Sequence, residues 1–312
     1  MLIRASIGTL IAAGELDAKT LVRPGVAYLL QYCDGGCSGG CLFCAQSSRS
    51  VASKEFLSRV VWPAMSLEDI APKIARVFRR ACVQSIIKPN FVEELHEVVK
   101  TLSQYGLKVS LSTSPMPDED LKLFKREGVD YLGIGLDAAT PSVATKVNKP
   151  YPYSVYLDFI DRAISVFGRG KVVVHLIIGI GETLMDALET IKQVYSMGGR
   201  VSLFAFTPVK GTPAESWSRP SLRYYRMVQV INYMISNGLP VEELVDLNRV
   251  CVYVDKLSGL GEISKALLTS GCPECNRPYY TESPREEPYN FPAADLLPIG
   301  QELLRKLSCD VS

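Results

Sequence analysis

Charge of one sign is missing from this chain: 34 basic residues face 33 acidic ones, a formal charge of +1 over 312 residues. That balance gives no global field to draw in a phosphate backbone, so nucleic acid is not favoured as a partner. Long hydrophobic runs are missing too. No segment approaches the roughly 20 apolar residues that span a bilayer, which argues against a membrane protein. The apolar stretch ASIGTLIAAG (Ala5–Gly14) follows Arg4 and invites a signal-peptide reading. A single n-region charge and the strand pattern soon after it argue against one. No internal repeat is present beyond a strand–helix unit. The cysteines number nine, an odd count, and they are clustered, which does not suit a framework of paired disulfides. In a reducing compartment clustered thiols bind metal or do chemistry, and the cytoplasm is the expected location.

What is present reads as an ordinary globular chain, 47% apolar and 21% charged, long enough for one α/β barrel plus an extension. Apolar β-rich runs recur at GVAYLLQY (Gly25–Tyr32), CVQSIIK (Cys82–Lys88), LKVSLST (Leu107–Thr113), YLGIGLDA (Tyr131–Ala138), KVVVHLIIG (Lys171–Gly179) and RVSLFAFTP (Arg200–Pro208). Amphipathic helices separate them. SLEDIAPKIARVFRRA (Ser66–Ala81) carries an N-cap serine, early acids and late arginines, and FVEELHEVVKTLSQYG stops at Gly106. Alternation of this kind predicts parallel βα units with strands buried on both faces. Six units precede Pro213, so residues 1–215 are expected to form a partial, six-stranded (β/α) barrel with its site at the strand C-termini. Residues 216–312 form a C-terminal extension: a long helix, SLRYYRMVQVINYMISNG, and a strap from Cys272 to Pro292 whose aromatics need a surface to pack on.

The densest signal is CDGGCSGGCLFC (Cys33–Cys44). Cys37, Cys41 and Cys44 follow C-x3-C-x2-C, and three thiolates on so short a loop can hold three irons of a [4Fe-4S] cluster, the fourth iron staying open. Glycines at 35, 36, 39 and 40 give the backbone freedom to wrap it. A zinc knuckle is the competing reading. Cys33 ends the strand and reads as a spare thiol.

With Phe43 as the aromatic before Cys44, the loop resembles the C-x3-C-x-aromatic-C of the radical S-adenosylmethionine superfamily, placed after the first barrel strand. The resemblance implies a radical SAM-type barrel in which the open iron chelates the amino and carboxylate groups of S-adenosylmethionine. HLIIGIGET resembles the superfamily's fifth-strand element, which implies that Gly179, Gly181 and Glu182 lie beside the adenine or ribose. GLD resembles the N-L-D of biotin synthases, which implies that Asp137 binds a ribose hydroxyl, with Gly135 in place of the asparagine. A helix N-terminal acid is the other reading of Asp137. PVKGTP (Pro208–Pro213) resembles the sixth-strand turn of the same subfamily.

Biotin synthases set three barrel cysteines around a [2Fe-2S] sulfur source. Here only Cys82 falls near such a position, the others being near Ser110 and Val173. Cysteine gathers instead in SGCPECNRPYY, where Cys272 and Cys275 have ligand spacing and Cys251 is the natural third. Two readings stay open for them: a second [4Fe-4S] cluster, or a zinc or structural thiol pair. The tail resembles the archaeal lipoyl synthases that work as a pair of radical proteins. That resemblance implies sulfur insertion into an octanoyl-lysyl chain, with an auxiliary [4Fe-4S] cluster as sulfur donor. The implied partners are an octanoylated lipoyl carrier protein, a companion radical SAM subunit and a ferredoxin-type electron donor. Other readings are a biotin synthase-like enzyme acting on another small molecule or peptide, and a cluster-bearing subunit without catalysis of its own. No catalytic acid or base stands out: His175 reads as a core histidine facing the lumen, and His96 as solvated on a charged helix.

Overall fold

The computed structural model describes residues 1–253, 256, 262–278, 280–281, 285–298 and 300–309. Tyr279 and residues 282–284 of the strap lie outside the described residues. The chain opens with β1 (Leu2–Ala5), α1 (Ile7–Ala12) and β2 (Ala27–Gln31). After the cysteine loop come β3 (Phe56–Leu57), β4 (Val60–Val61), β5 (Ala64–Ser66) and α2 (Leu67–Ala75). The alternation then runs β6 (Arg80–Gln84), α3 (Phe91–Gln104), β7 (Lys108–Thr113), α4 (Asp118–Glu127), β8 (Val129–Asp137), α5 (Pro141–Lys146), α6 (Tyr153–Phe167), β9 (Val172–Ile178), α7 (Leu184–Met197), β10 (Arg200–Ala205) and α8 (Leu222–Ser236). Short β11 (Val245–Asp246) and β12 (Cys251–Val252) follow.

The fold is α/β with a mainly parallel sheet. One eight-stranded sheet has the order β10-β9-β8-β7-β6-β2-β1-β5, in which β2, β6, β7, β8, β9 and β10 pair in parallel. These are the six apolar runs of the sequence. Strand β1 pairs antiparallel with both β2 and β5, so the apolar N-terminal stretch is a strand and a helix of the fold, with Ile3, Ala5 and Leu10 in the core. No helix among the described residues is long and apolar enough to cross a membrane.

Helix α2 stops at Ala75, short of the span that its periodicity predicts, because Arg80–Gln84 is drawn into the sheet against Lys108–Ser112. Strand pairing outweighs helix propensity there, as tertiary context commonly does. Two helices, α5 and α6, stand between β8 and β9 where the pattern predicts one. His96 also differs from expectation: it is buried, stacked on Phe124 at 3.8 Å, with Nδ1 2.6 Å from a Glu127 carboxylate oxygen.

Side-chain parity along the strands separates core from lumen, since alternate residues face opposite sides. In β6, Ala81 and Val83 join the hydrophobic core while Arg80, Cys82 and Gln84 line a lumen cavity. The C-terminal strap closes that lumen from the strands' N-terminal side. Tyr280 packs on Tyr28 at 5.4 Å and on Trp62 at 6.0 Å between centroids. The Tyr28 hydroxyl accepts from the amides of Asn276 (3.1 Å) and Arg277 (2.7 Å), and Ser202 donates to the Ser270 carbonyl at 2.6 Å. Strap aromatics thus find their surface on the barrel itself.

Candidate functional site

The cysteine loop springs from the C-terminal end of β2 and is tied down from several sides. Cys37 N–H donates to the Gln46 carbonyl at 2.6 Å and Leu42 N–H to that of Val147 at 3.0 Å, while Asn148 donates to the Gly40 carbonyl at 2.9 Å. Lys54 donates to the carbonyls of Ala45, Ser47 and Ser50, at 2.9, 2.9 and 3.1 Å. Gly36 sits at φ +75°, and a Cβ there would lie 2.5 Å from the Gln46 oxygen, so the turn needs glycine. The amides of Gly39 and Ile87 both donate to the Cys37 sulfur at 3.3 Å. Burial pushes the free thiol of Cys41 up to about 11 and that of Cys44 to about 12. Thiols so placed give up their protons to a metal rather than to water. Among the described residues no three His, Cys, Asp or Glu side chains close around a single metal ion. Cys37, Cys41 and Cys44 are all free, and three thiols on one loop are a donor set that suits a multi-iron cluster. Cys33 is free and, like Cys37, packs against the hydrophobic cluster that includes Leu30, Trp62 and Ile86.

Near the loop, Asp137 of the GLD element is paired with a lysine that no motif announces. Asp137 ends β8 at φ +63°, where the β8–β9 register shifts. Its carboxylate takes a 2.5 Å ion pair from Lys149, which also donates to the Gly135 carbonyl at 2.8 Å. Burial works against the Lys149 charge, yet Asp137 and Cys41 outweigh it and hold the ammonium above the usual lysine range. Asp137 is not the cap of the next helix: that role belongs to Thr140, whose side chain accepts from Val143 N–H at 3.2 Å. Both members of the pair line a cavity of ≈ 270 Å³ at the strand C-termini, together with Phe43, His175, Phe204 and Phe206.

Gly179, Gly181 and Glu182 form one turn at the end of β9. The Glu182 carboxylate turns back on its own loop, accepting from the amides of Gly179 (2.7 Å), Ile180 (3.1 Å) and Gly181 (3.2 Å) and from the Tyr224 hydroxyl (3.3 Å). The space a Cβ would take at Gly179 and Gly181 belongs to Pro220 and to Lys146. This segment clamps the end of β9 beside the cavity.

A second cavity lies deeper, toward the strand N-termini, and it gathers Cys82, Cys272 and Cys275 with Arg80, Arg277 and Tyr28. The Tyr28 hydroxyl is 3.7 Å from the Cys275 sulfur. Cys82 pairs across the sheet with Ser110, and Ser110 is the hydrogen-bond neighbour of Cys272. The strap thus delivers a thiol beside a strand position that carries serine. Cys251 is absent from this group, which corrects the expected ligand set. Its strand β12 pairs with β11, and its sulfur is bonded to Cys309, 58 residues further on. His175 lines both cavities, and burial, with Arg277 next, lowers its imidazole to about 4, so it is neutral at ordinary pH.

Residues 34–194 match the family described as the Radical SAM superfamily. The chain is 22% identical over 284 residues to the "Dual-specificity RNA methyltransferase RlmN" of Oleidesulfovibrio alaskensis, covering 85% of this chain and 76% of that protein. It is 26% identical over 197 residues to the "Biotin synthase" of Bordetella avium, covering 59% of this chain and 58% of that one. Among solved structures, methylornithine synthase (PylB) superposes with a TM-score of 0.52 at 15% identity, covering 67% of this chain and 61% of that one. The hydrogenase maturase HydG gives 0.54 at 14% identity, covering 66% and 49%. At such identities the structural likeness speaks for the fold alone.

Proposed function

Because the chain belongs to the radical SAM superfamily, we propose that it is a radical sulfur-inserting enzyme acting on the octanoyl-lysyl chain of a carrier protein, as one subunit of a two-protein lipoyl synthase. The observation that carries the reading is the stacking of two thiol groups along one lumen. Cys44 of the cysteine loop lines the cavity at its mouth, Cys272 and Cys275 line its floor, and largely apolar walls run between them.

A cluster and S-adenosylmethionine bound at the loop supply a 5'-deoxyadenosyl radical, the reagent needed where the C–H bonds of a saturated acyl chain have no useful acidity. The chain's own residues do the rest. Cys37, Cys41 and Cys44 would hold the cluster; the Lys149–Asp137 pair fixes one positive and one negative group at the cavity wall, suited to a zwitterion and a ribose. Phe204, Phe206 and Ile177 offer an apolar surface to an acyl chain and keep water out. A neutral His175 adds no charge that would repel it. The sulfur to be inserted requires a donor on the far side of the substrate, and the strap thiols lie there. A ferredoxin-type electron donor and a companion radical SAM subunit complete the system.

The test is mass spectrometry of an octanoyl-lysyl peptide after anaerobic incubation of the reconstituted protein with S-adenosylmethionine and a low-potential reductant, with and without the companion subunit. Thiolated peptide is the expected product. A methylated product, or 5'-deoxyadenosine formed with the peptide unchanged in both arms, would overturn the substrate reading while leaving the radical chemistry in place.

A further inference from the structure

Cys82, Cys272 and Cys275 meet in one buried chamber, although they come from β6 and from a strap near the other end of the chain. The surroundings of the three thiols are short of acceptors. Among the described residues, Arg277 Nη1 and Arg80 Nε are buried without a hydrogen-bond partner, and both residues line this chamber. An unpaired buried donor is costly, the more so where it is charged. Two guanidinium donors facing one set of thiols suit an occupant that accepts hydrogen bonds and carries negative charge.

A single zinc ion meets neither requirement, because it brings no acceptor atoms and two guanidinium groups oppose its charge. A protein disulfide would use two of the thiols and leave the donors unpaired. An iron–sulfur cluster supplies sulfides that accept hydrogen bonds, and its thiolate-bound form is anionic, so Arg80 and Arg277 complement it. The strap geometry suits a built site. Glu274 and Arg277 adopt positive φ (66° and 38°) on either side of Cys275, and Arg277 stacks over Phe204 at 3.7 Å while donating to the Ser270 carbonyl at 2.9 Å. Left-handed backbone at non-glycine residues is costly and persists where its surroundings hold it.

We propose that Cys82, Cys272 and Cys275 ligate a second iron–sulfur cluster at the floor of the lumen, with Arg80 and Arg277 as its hydrogen-bonding shell. The purpose of the site, sulfur donation, rests on the reading above; its place rests on the chamber's own residues.

The test is iron and sulfide analysis with Mössbauer spectroscopy of the full chain after anaerobic reconstitution. In the Cys37→Ala/Cys41→Ala/Cys44→Ala variant about half of the wild-type iron should remain, as expected when one of two four-iron clusters is lost. Adding Cys82→Ser should remove the remainder, and Cys251→Ser should remove none. Should Cys82→Ser fail to fold, as circular dichroism would show, Cys275→Ser on the strap carries the same expectation. Zinc in the chamber, or undiminished iron in the Cys82 and Cys275 variants, would overturn the proposal. In the Cys275→Ser variant, 5'-deoxyadenosine should still form, so loss of the chamber cluster is told apart from failure at the loop.

Discussion

Lys149 sets its ammonium 2.5 Å from the carboxylate of Asp137, and its side chain is only 6% exposed. Burying two charges is costly, and removing one partner leaves the other buried alone, a loss of about 3–5 kcal/mol. Lys149→Met should therefore destabilise the protein by roughly that amount, whereas Lys149→Met/Asp137→Leu should recover most of it. Because Lys149 is held above the ordinary lysine range, its contribution is fully present at neutral pH and is lost only as pH rises through the folded value. Denaturant titration of the three proteins checks this; equal losses in the single and double variants would show that the two groups are not coupled.

The loop thiols divide three to one. Cys37→Ala, Cys41→Ala or Cys44→Ala should abolish 5'-deoxyadenosine formation, since each removes a ligand of the proposed cluster. Cys33→Ala should leave it largely intact, because that thiol stands before the C-x3-C-x2-C spacing of the other three. Chromatography of the nucleoside product separates the cases, and cleavage surviving in any of the first three would sink the loop assignment.

These residues were legible in the sequence because cluster ligands on one loop are local: spacing and glycine content carry them without any knowledge of the fold. The six parallel strands were legible for a related reason, since strands buried on both faces read as continuous apolar runs. Strands β1 and β5 were not. LIRA and AMS are too short to show a pattern, and their pairing depends on partners far along the chain. The floor of the lumen was illegible in the same way. Spacing favours Cys251 as the companion of Cys272 and Cys275, but three-dimensional proximity belongs to Cys82, whose lumen-facing parity with Arg80 and Gln84 was the available hint. Lys149 belongs to no motif; only the turn after α5 brings it to Asp137.

His175 gives the stability a pH dependence in metal-free protein. Between the ordinary value of 6.5 and the depressed value of about 4, the unfolded chain binds a proton that the folded chain refuses. Stability therefore falls as pH drops through that window, by up to ~3 kcal/mol for a shift of this size. His175→Gln should flatten the profile. An unchanged slope in that variant would place the proton uptake elsewhere.

Cys251 and Cys309 should behave as a disulfide rather than as ligands. Alkylation of the denatured, metal-free chain without reductant should label the seven free cysteines, and all nine after reduction. A loop of 58 residues closed in the unfolded state is worth about 4 kcal/mol in the chain-entropy account, so Cys251→Ser should lower the melting temperature. Nine labelled thiols before reduction would return Cys251 to the pool of possible ligands.

Tyr280 lines both cavities, as do Gln84, Ser112, His175 and Phe204. Its ring packs against Tyr28 and Trp62, and its main-chain carbonyl accepts from the Ser58 hydroxyl at 2.7 Å. Tyr280→Ala should cost about 3–5 kcal/mol, the range for truncating a buried aromatic ring. It should also merge the two compartments and admit water between them. A radical formed at the mouth would then be quenched more often before it reaches the acyl chain, so 5'-deoxyadenosine should accumulate in excess over thiolated peptide. Tyr280→Phe keeps the ring and removes only a hydroxyl that lies beside Ser6, so it should preserve the coupling and most of the stability. If the alanine variant keeps the wild-type ratio of nucleoside to product, the ring is packing alone and the substrate does not pass along this wall.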